Sequence, residues 1–232
     1  MLNILRNFAR VIFVSSLAAL IFSASIGGAI NSRWLYLYGF EKYRVSETTG
    51  LPRAELEKAA RGLISYFNSD EEFINLTATK NGQPFSLFNE REIVHLKDVK
   101  GLVWLDYRVF AVALAYVLVF TLWAVLRRQG KWRFLAGGVL GGSALTLGLM
   151  AAMGLGIVFN FNWLFYQFHI LSFANDFWQL DPSRDYLIML FPGGFWFDAF
   201  LYCALAAAAA AAILGALAWR YLTRSKTSPG TF

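Results

Sequence analysis

The chain has 232 residues, of which 57% are hydrophobic, 17% aromatic and only 16% charged, and its net charge is +6. An ordinary soluble domain of this length is excluded by that composition, which belongs to a membrane protein. The single cysteine, Cys203, excludes an internal disulfide and the dithiol relays of membrane disulfide oxidases.

In chain order, Arg6 and Arg10 precede the uncharged stretch Val11–Ile30, which matches the roughly 20 residues a helix needs to cross a bilayer. Ser23-Ala24-Ser25 resembles a signal-peptidase site. Val11–Ile30 is long for the apolar core of a signal peptide, however, so an uncleaved anchor is expected. Residues 31–105 then hold ten basic and ten acidic side chains, a balanced surface suited to a small α+β domain outside the bilayer. Pro52 opens a helix whose apolar face is Leu56, Ala59, Ala60, Leu63, Ile64 and Phe67. Phe73–Thr79 and Gln83–Phe88 flank Asn81-Gly82, a pair that tolerates the positive φ of a tight turn, and so predict a hairpin. Asn89 with Glu92 three positions on predicts a capping box. The helix it starts carries His95 and Asp98 and runs through Trp104 and Tyr107 into a second span, Val109–Leu126.

From Phe134 to Asn175 there is no Lys, Arg, Asp or Glu. As one straight helix this stretch would be about 63 Å long, twice a hydrocarbon core of about 30 Å, so it must turn. Phe134–Val158 is the natural third span, and Asn160 and Asn162 mark its exit. Gly137, Gly138, Gly141 and Gly142 form overlapping small-xxx-small patterns, as does the alanine run Ala206–Ala212 in the fourth span, Ala199–Trp219. Close helix packing explains both. Cys203, in that last span, reads as a small buried residue.

The basic residues orient the spans. Arg6 and Arg10, then Arg127, Arg128, Lys131 and Arg133, then Arg220, Arg224 and Lys226 make up three segments with no acidic residue. The positive-inside bias places these segments, and both termini, in the cytoplasm. The net charge is thus mostly topology, and a nucleic-acid partner is not needed to explain it. The expected organisation has five parts. Residues 1–30 are the N-terminus and first span, and 31–106 the extracytoplasmic α+β domain. Residues 107–158 are the second and third spans, 159–194 an aromatic-rich outer or re-entrant segment, and 195–232 the last span and basic tail.

The segment 159–194 packs His169, Asn160, Asn162, Asn175, Asp176, Asp181 and Asp185 among dense aromatic residues. An aromatic belt accounts for the rings, whereas polar groups at membrane depth point to function. His95 and His169 are the only histidines, each next to acids near a span boundary. His95 and Asp98 share a helix face, as would His169, Phe173 and Asp176 if that stretch is helical. A carboxylate that accepts from one imidazole nitrogen leaves the other as a base. Asp181-Pro182 is expected to cap a short helix with Asp185 one turn on. Asp198 is a further ionisable residue in an apolar place. Arg33 and Arg108 stand at the outer ends of their spans, either snorkelling or gripping an anionic or ester-bearing head group. No Gly-x-Ser-x-Gly elbow, phosphate loop, haem-attachment motif or zinc-binding His pair is present. No cofactor or metal is expected from these motifs. Two other readings stand beside an enzyme: a haem- or metal-binding membrane protein using both histidines, and a non-catalytic membrane scaffold.

His95-Leu-Lys-Asp98-Val99 leading into a span, Phe161-Asn162 through His169, and Asn175, Trp178, Asp181-Pro182 and Asp185 together resemble the bacterial lipoprotein intramolecular transacylase family, Lit. The order of spans, the domain after the first and Phe191-Pro192 before the last agree with it. The resemblance implies an acyltransferase of the bacterial cell membrane acting at the outer leaflet. Its substrate would be a diacylated lipoprotein, with membrane lipid as surroundings. The sn-2 acyl chain of an S-diacylglyceryl N-terminal cysteine would move to the α-amino group of that cysteine, giving the N-acyl lyso form. On this reading His169 is the base and His95 a second base, shuttle or oxyanion partner. Asp98, Asp176, Asp181 and Asp185 would support them, and Arg33, Asn162, Asn175 and Trp178 would bind the substrate or oxyanion.

Overall fold

The computed structural model describes residues 2–126 and 131–224. Arg127, Arg128 and Lys226, three of the basic residues behind the expected orientation, lie outside the described residues. The elements are α1 (Leu2–Ile30), α2 (Arg33–Lys42), α3 (Val45–Thr49), α4 (Arg53–Phe67), β1 (Thr77–Lys80), β2 (Gln83–Ser86), α5 (Glu90–Leu126), α6 (Lys131–Ser172), α7 (Tyr186–Leu190) and α8 (Gly193–Arg224). Four of them, α1, α5, α6 and α8, are long and apolar enough to cross a membrane. At 37 residues, α5 is about 55 Å long. It outruns a bilayer core of about 30 Å, so its charged N-terminal turns are free to belong to another part of the protein.

Long helix α6 is two helices joined at Asn160, whose backbone is extended (φ −166°, ψ 88°). The Asn160 side-chain oxygen accepts from the Trp163 N–H at 3.0 Å, capping the second half. The expected turn in the uncharged stretch is therefore a kink at one capping asparagine, after which helix resumes to Ser172.

The chain divides into two compact units. One comprises residues up to Ile26, Asp106–Leu155 and the chain from Cys203. Its core is Phe13, Leu17, Ile21, Phe120, Ala124, Leu135, Ala207 and Ala211. The glycines of α6 serve close approach to α1. A Cβ on Gly138 would stand 2.9 Å from the Phe13 ring, and one on Gly142 would stand 2.8 Å from Leu17. Ala207 and Ala211, one turn apart, present the same small surface on α8. Cys203 is half-buried rather than fully buried as expected, and its thiol donates to the Ser25 carbonyl at 3.6 Å.

The other unit comprises Gly27–Leu105 and Gly156–Tyr202. Pro52 stands at the N-cap of α4, which buries Leu56, Ala59, Ala60, Leu63, Tyr66 and Phe67. Asn81 (φ 54°) and Gly82 (φ 77°) make the tight turn between antiparallel β1 and β2, registered Thr77↔Ser86 and Lys80↔Gln83. The strands are shorter than the sequence predicts, because only four residues on each side pair. Tyr36 and Phe40 of α2 meet Phe191, at 5.6 Å between centroids in each case. Gly39 lets the helix lie against Phe195. Asp198, the ionisable residue in α8, accepts from Lys42 Nζ at 2.6 Å and from the Tyr43 hydroxyl at 2.8 Å. That bond holds the Lys42 ammonium above its ordinary pKa.

Candidate active site

The first turns of α5 and the second half of α6 build the site within the second unit. The capping box forms as expected: the Asn89 side chain accepts from the Glu92 N–H at 3.1 Å and Glu92 accepts from the Asn89 N–H at 2.8 Å. One turn on, on the same face, comes His95, and a further turn on, Asp98. His95 is only 7% exposed, and its Nδ1 is buried with no hydrogen-bond partner among the described residues.

His169 is likewise 7% exposed. Its Nδ1 lies 2.7 Å from the carbonyl oxygen of Phe165, one turn back on its own helix. A carbonyl can only accept, so in the neutral ring the proton sits on Nδ1 and Nε2 keeps its lone pair. Helix geometry alone thus sets the tautomer that suits a base.

The two imidazoles come together, with ring centroids 6.2 Å apart and planes 30° from parallel. Phe173 joins them, edge-on to His95 at 4.9 Å and 5.5 Å from His169. Phe165 at 4.3 Å, Phe168 at 5.4 Å and Trp178 at 5.0 Å complete an aromatic enclosure about His169. Beyond it, Trp163, Tyr166, Ile170 and Leu171 of α6 remain exposed, an apolar stripe at helical spacing.

The acids make other hydrogen bonds than the sequence predicts. Asp98 makes no hydrogen bond to His95; its Oδ2 accepts from the Asn175 amide at 2.8 Å. Helical spacing puts His95 and Asp98 on one face, but the segment after α6 supplies the donor. Asp176 does not share a face with His169, because α6 ends at Ser172. Its carboxylate accepts from Gln179 at 3.2 Å, and its backbone carbonyl accepts from the Arg91 guanidinium.

Asp181 does not cap a helix. Its Oδ1 accepts from the hydroxyl and backbone N–H of Ser183 at 2.7 and 2.9 Å, an Asx-type turn. Those bonds hold its carboxyl below the usual carboxylate range. The N-cap position of α7 falls to Asp185, whose side chain makes no cap hydrogen bond. Instead Asp185 accepts from the Asn89 amide at 2.9 Å and from the Asp181 N–H at 2.7 Å.

Among the other candidates, Trp178 lies against His169, and Asn175 is engaged by Asp98. Asn162 is exposed on α6, and Arg33 is paired with Glu57 at 2.8 Å. Sequence reasoning missed Phe165 and saw in Glu92 only a cap. The signal for Phe165 was its place one turn before His169, where an imidazole can reach the carbonyl. For Glu92 it was the one-turn spacing to His95.

A family model described as lipoprotein intramolecular transacylase Lit matches residues 11–196. The structure of the membrane-integral lipoprotein intramolecular transacylase Lit from Bacillus cereus superposes with a TM-score of 0.82 at 22% identity, over 97% of this chain and 98% of that one. Two more structures of the Bacillus cereus protein, with one histidine changed to arginine or to alanine, each give 0.78 at 21% identity over 97% of this chain. They are covered to 94% and 96%. At these identities the likeness establishes a shared fold. No curated protein matches the sequence.

Proposed function

Since the chain belongs to the lipoprotein intramolecular transacylase (Lit) family, and is thereby an acyltransferase and multi-pass membrane protein, we propose that it moves one acyl chain within a lipoprotein's N-terminal cysteine. The chain at sn-2 of the S-diacylglyceryl group passes to the α-amino group of the same cysteine, leaving an N-acyl, S-monoacylglyceryl lyso form.

The observation that carries this reading is the convergence of the chain's two imidazoles in an aromatic enclosure, one of them with its Nε2 lone pair uncommitted. The α-amino group has an ordinary pKa near 8 and is mostly protonated at neutral pH. Nε2 of His169 takes a proton from it, and the free amine attacks the ester carbonyl. The tetrahedral adduct gives up the second N–H proton to His95, which passes it to solvent, and collapses by breaking the bond to the sn-2 oxygen, which leaves as a hydroxyl after receiving the proton from the His169 imidazolium. The new amide and the freed hydroxyl balance the ester and amine consumed, so no acyl carrier takes part.

Donor and acceptor belong to one molecule, and well-oriented intramolecular reactions gain about 7–11 kcal/mol. Holding both near Nε2 is therefore most of the work. Trp178 and the exposed stripe Trp163, Tyr166, Ile170 and Leu171 suit acyl chains. Asn162, exposed on the same helix, offers a donor for the developing oxyanion, where one good donor contributes about 2.7–4 kcal/mol. Arg33 and Asn175, held by Glu57 and Asp98, support the fold around the site in this reading. His95 serves as second base or shuttle. Asp98, Asp176, Asp181 and Asp185 act on the segment after α6.

The positive-inside bias supports cytoplasmic termini, with the domain at 31–106 and the segment 159–194 on the outer face. Mass spectrometry of lipoprotein N-terminal peptides, from cells with and without the protein, tests the reaction. The expected product has unchanged mass and an acyl group on nitrogen; unaltered diacylglyceryl peptides in expressing cells would overturn it.

A further inference from the structure

We propose that Glu92 is a positioning residue for the acyl shift, holding the connection between α6 and α7 so that Trp178 stays on the ring of His169. This rests on the reading of His169 as the base. From Phe173 to Asp185 the connection has no helix or strand of its own, so its place is set by what grips it. The grips come from the first three turns of α5. At one end Asp98 accepts from Asn175, and Arg91 donates to the Asp176 carbonyl and covers the Phe177 ring. At the other end Glu92 Oε1 accepts from the Leu187 N–H at 2.6 Å, while its Oε2 accepts from the Asn89 N–H. Asn89 in turn donates to Asp185, which closes the Asp181–Asp185 turn.

Trp178 lies between the two ends, 5.0 Å from His169. Glu92 and Asp185 are each only 1% exposed. A buried carboxylate is costly unless its oxygens are satisfied, and both oxygens of Glu92 are satisfied by backbone N–H groups. A helix cap needs only one of those bonds; the second, to Leu187, reaches across 95 residues. Glu92 makes no hydrogen bond to either imidazole, so it acts through the connection.

Glu92→Gln keeps the size and replaces one acceptor with an NH2 group that faces an N–H, so one grip opens. Glu92→Asp keeps both acceptors on a shorter arm. With purified full-length protein in lipid bicelles and a synthetic diacylated lipopeptide, Glu92→Gln is expected to lower kcat about tenfold with KM within about twofold. Glu92→Asp restores part of the loss. If Glu92 acts through Trp178, Glu92→Gln combined with Trp178→Ala is no worse than Trp178→Ala alone.

A second readout needs no turnover. The chain has only two histidines, so histidine-selective 15N labelling yields two imidazole spin systems. Those of His169 should shift in Glu92→Gln towards their positions in Trp178→Ala. Losses that multiply, or His169 signals that stay at wild-type positions, would overturn the proposal. Absence of acyl transfer by the wild type would instead overturn the functional reading and leave the spectral test of Glu92 intact.

Discussion

His169→Asn separates the proposed base from the scaffold around it. In asparagine, Nδ2 sits two bonds from Cβ, as Nδ1 does in histidine, so the variant can still donate to the Phe165 carbonyl that now receives Nδ1–H at 2.7 Å. It has nothing at the place of Nε2. A positioned general base contributes about 10²–10⁴ in rate, which is about 2.7–5.4 kcal/mol at about 1.36 kcal/mol per decade. Thermal unfolding in lipid bicelles should change little by comparison, because the hydrogen bond survives and only part of a ring is lost. The assay is the initial rate of N-acyl product from a synthetic diacylated lipopeptide, measured by mass spectrometry and normalised to folded protein. His169→Gln, which reaches the Nε2 region but offers no basic nitrogen and no donor to Phe165, should be at least as inactive. A His169→Asn variant keeping more than about a tenth of the wild-type rate would refute the role of Nε2.

Other outcomes follow from the same geometry. His95→Asn should lower the transacylation rate while the protein still inserts and unfolds cooperatively; a wild-type rate would remove His95 from the reaction. Asp198→Asn should lower the melting temperature modestly, since Lys42 is a surface group. Because Asp198 raises the folded-state pKa of Lys42, the stabilisation is fully present below the ordinary lysine value of about 10.4 and is lost only as pH rises through the raised one. The difference in melting temperature should therefore be flat from about pH 6 to about pH 9, and a gap that closes within that window would refute the pairing. At Gly39, an added Cβ would lie 2.3 Å from the Phe195 ring, so Gly39→Ala should cost about 1–3 kcal/mol in unfolding experiments. Gly28→Ala, with nothing within 4 Å of the new atom, serves as the tolerated control.

Much of the fold was legible along the chain. The four spans follow from uncharged stretches of bilayer length. The hairpin follows from Asn81-Gly82, where two consecutive positive φ values are cheapest for asparagine and glycine. The capping box of Asn89 and Glu92 is written in a three-residue spacing. The kink at Asn160 was anticipated only as an exit from the lipid; helix resumes there because the same asparagine caps a second segment. The candidate site was legible in residue types and less so in partners. Helical spacing put Asp98 on the face of His95, yet the Asn175 amide takes its carboxylate from 77 residues away. The expected alignment of Asp176 with His169 assumed a helix that stops at Ser172.

Burial of apolar side chains, backbone sterics and capping act over a few neighbouring residues, so the amino-acid order by itself determined the spans, the turn and the cap. Which groups meet across long separations depends on how many weak contacts are satisfied together. Only the tertiary structure decided that His95 and His169 adjoin, that Trp178 lies on the second ring, and that Glu92 reaches Leu187. A buried donor or acceptor takes whichever partner the packed elements bring within about 3 Å, and no local spacing rule names that partner in advance.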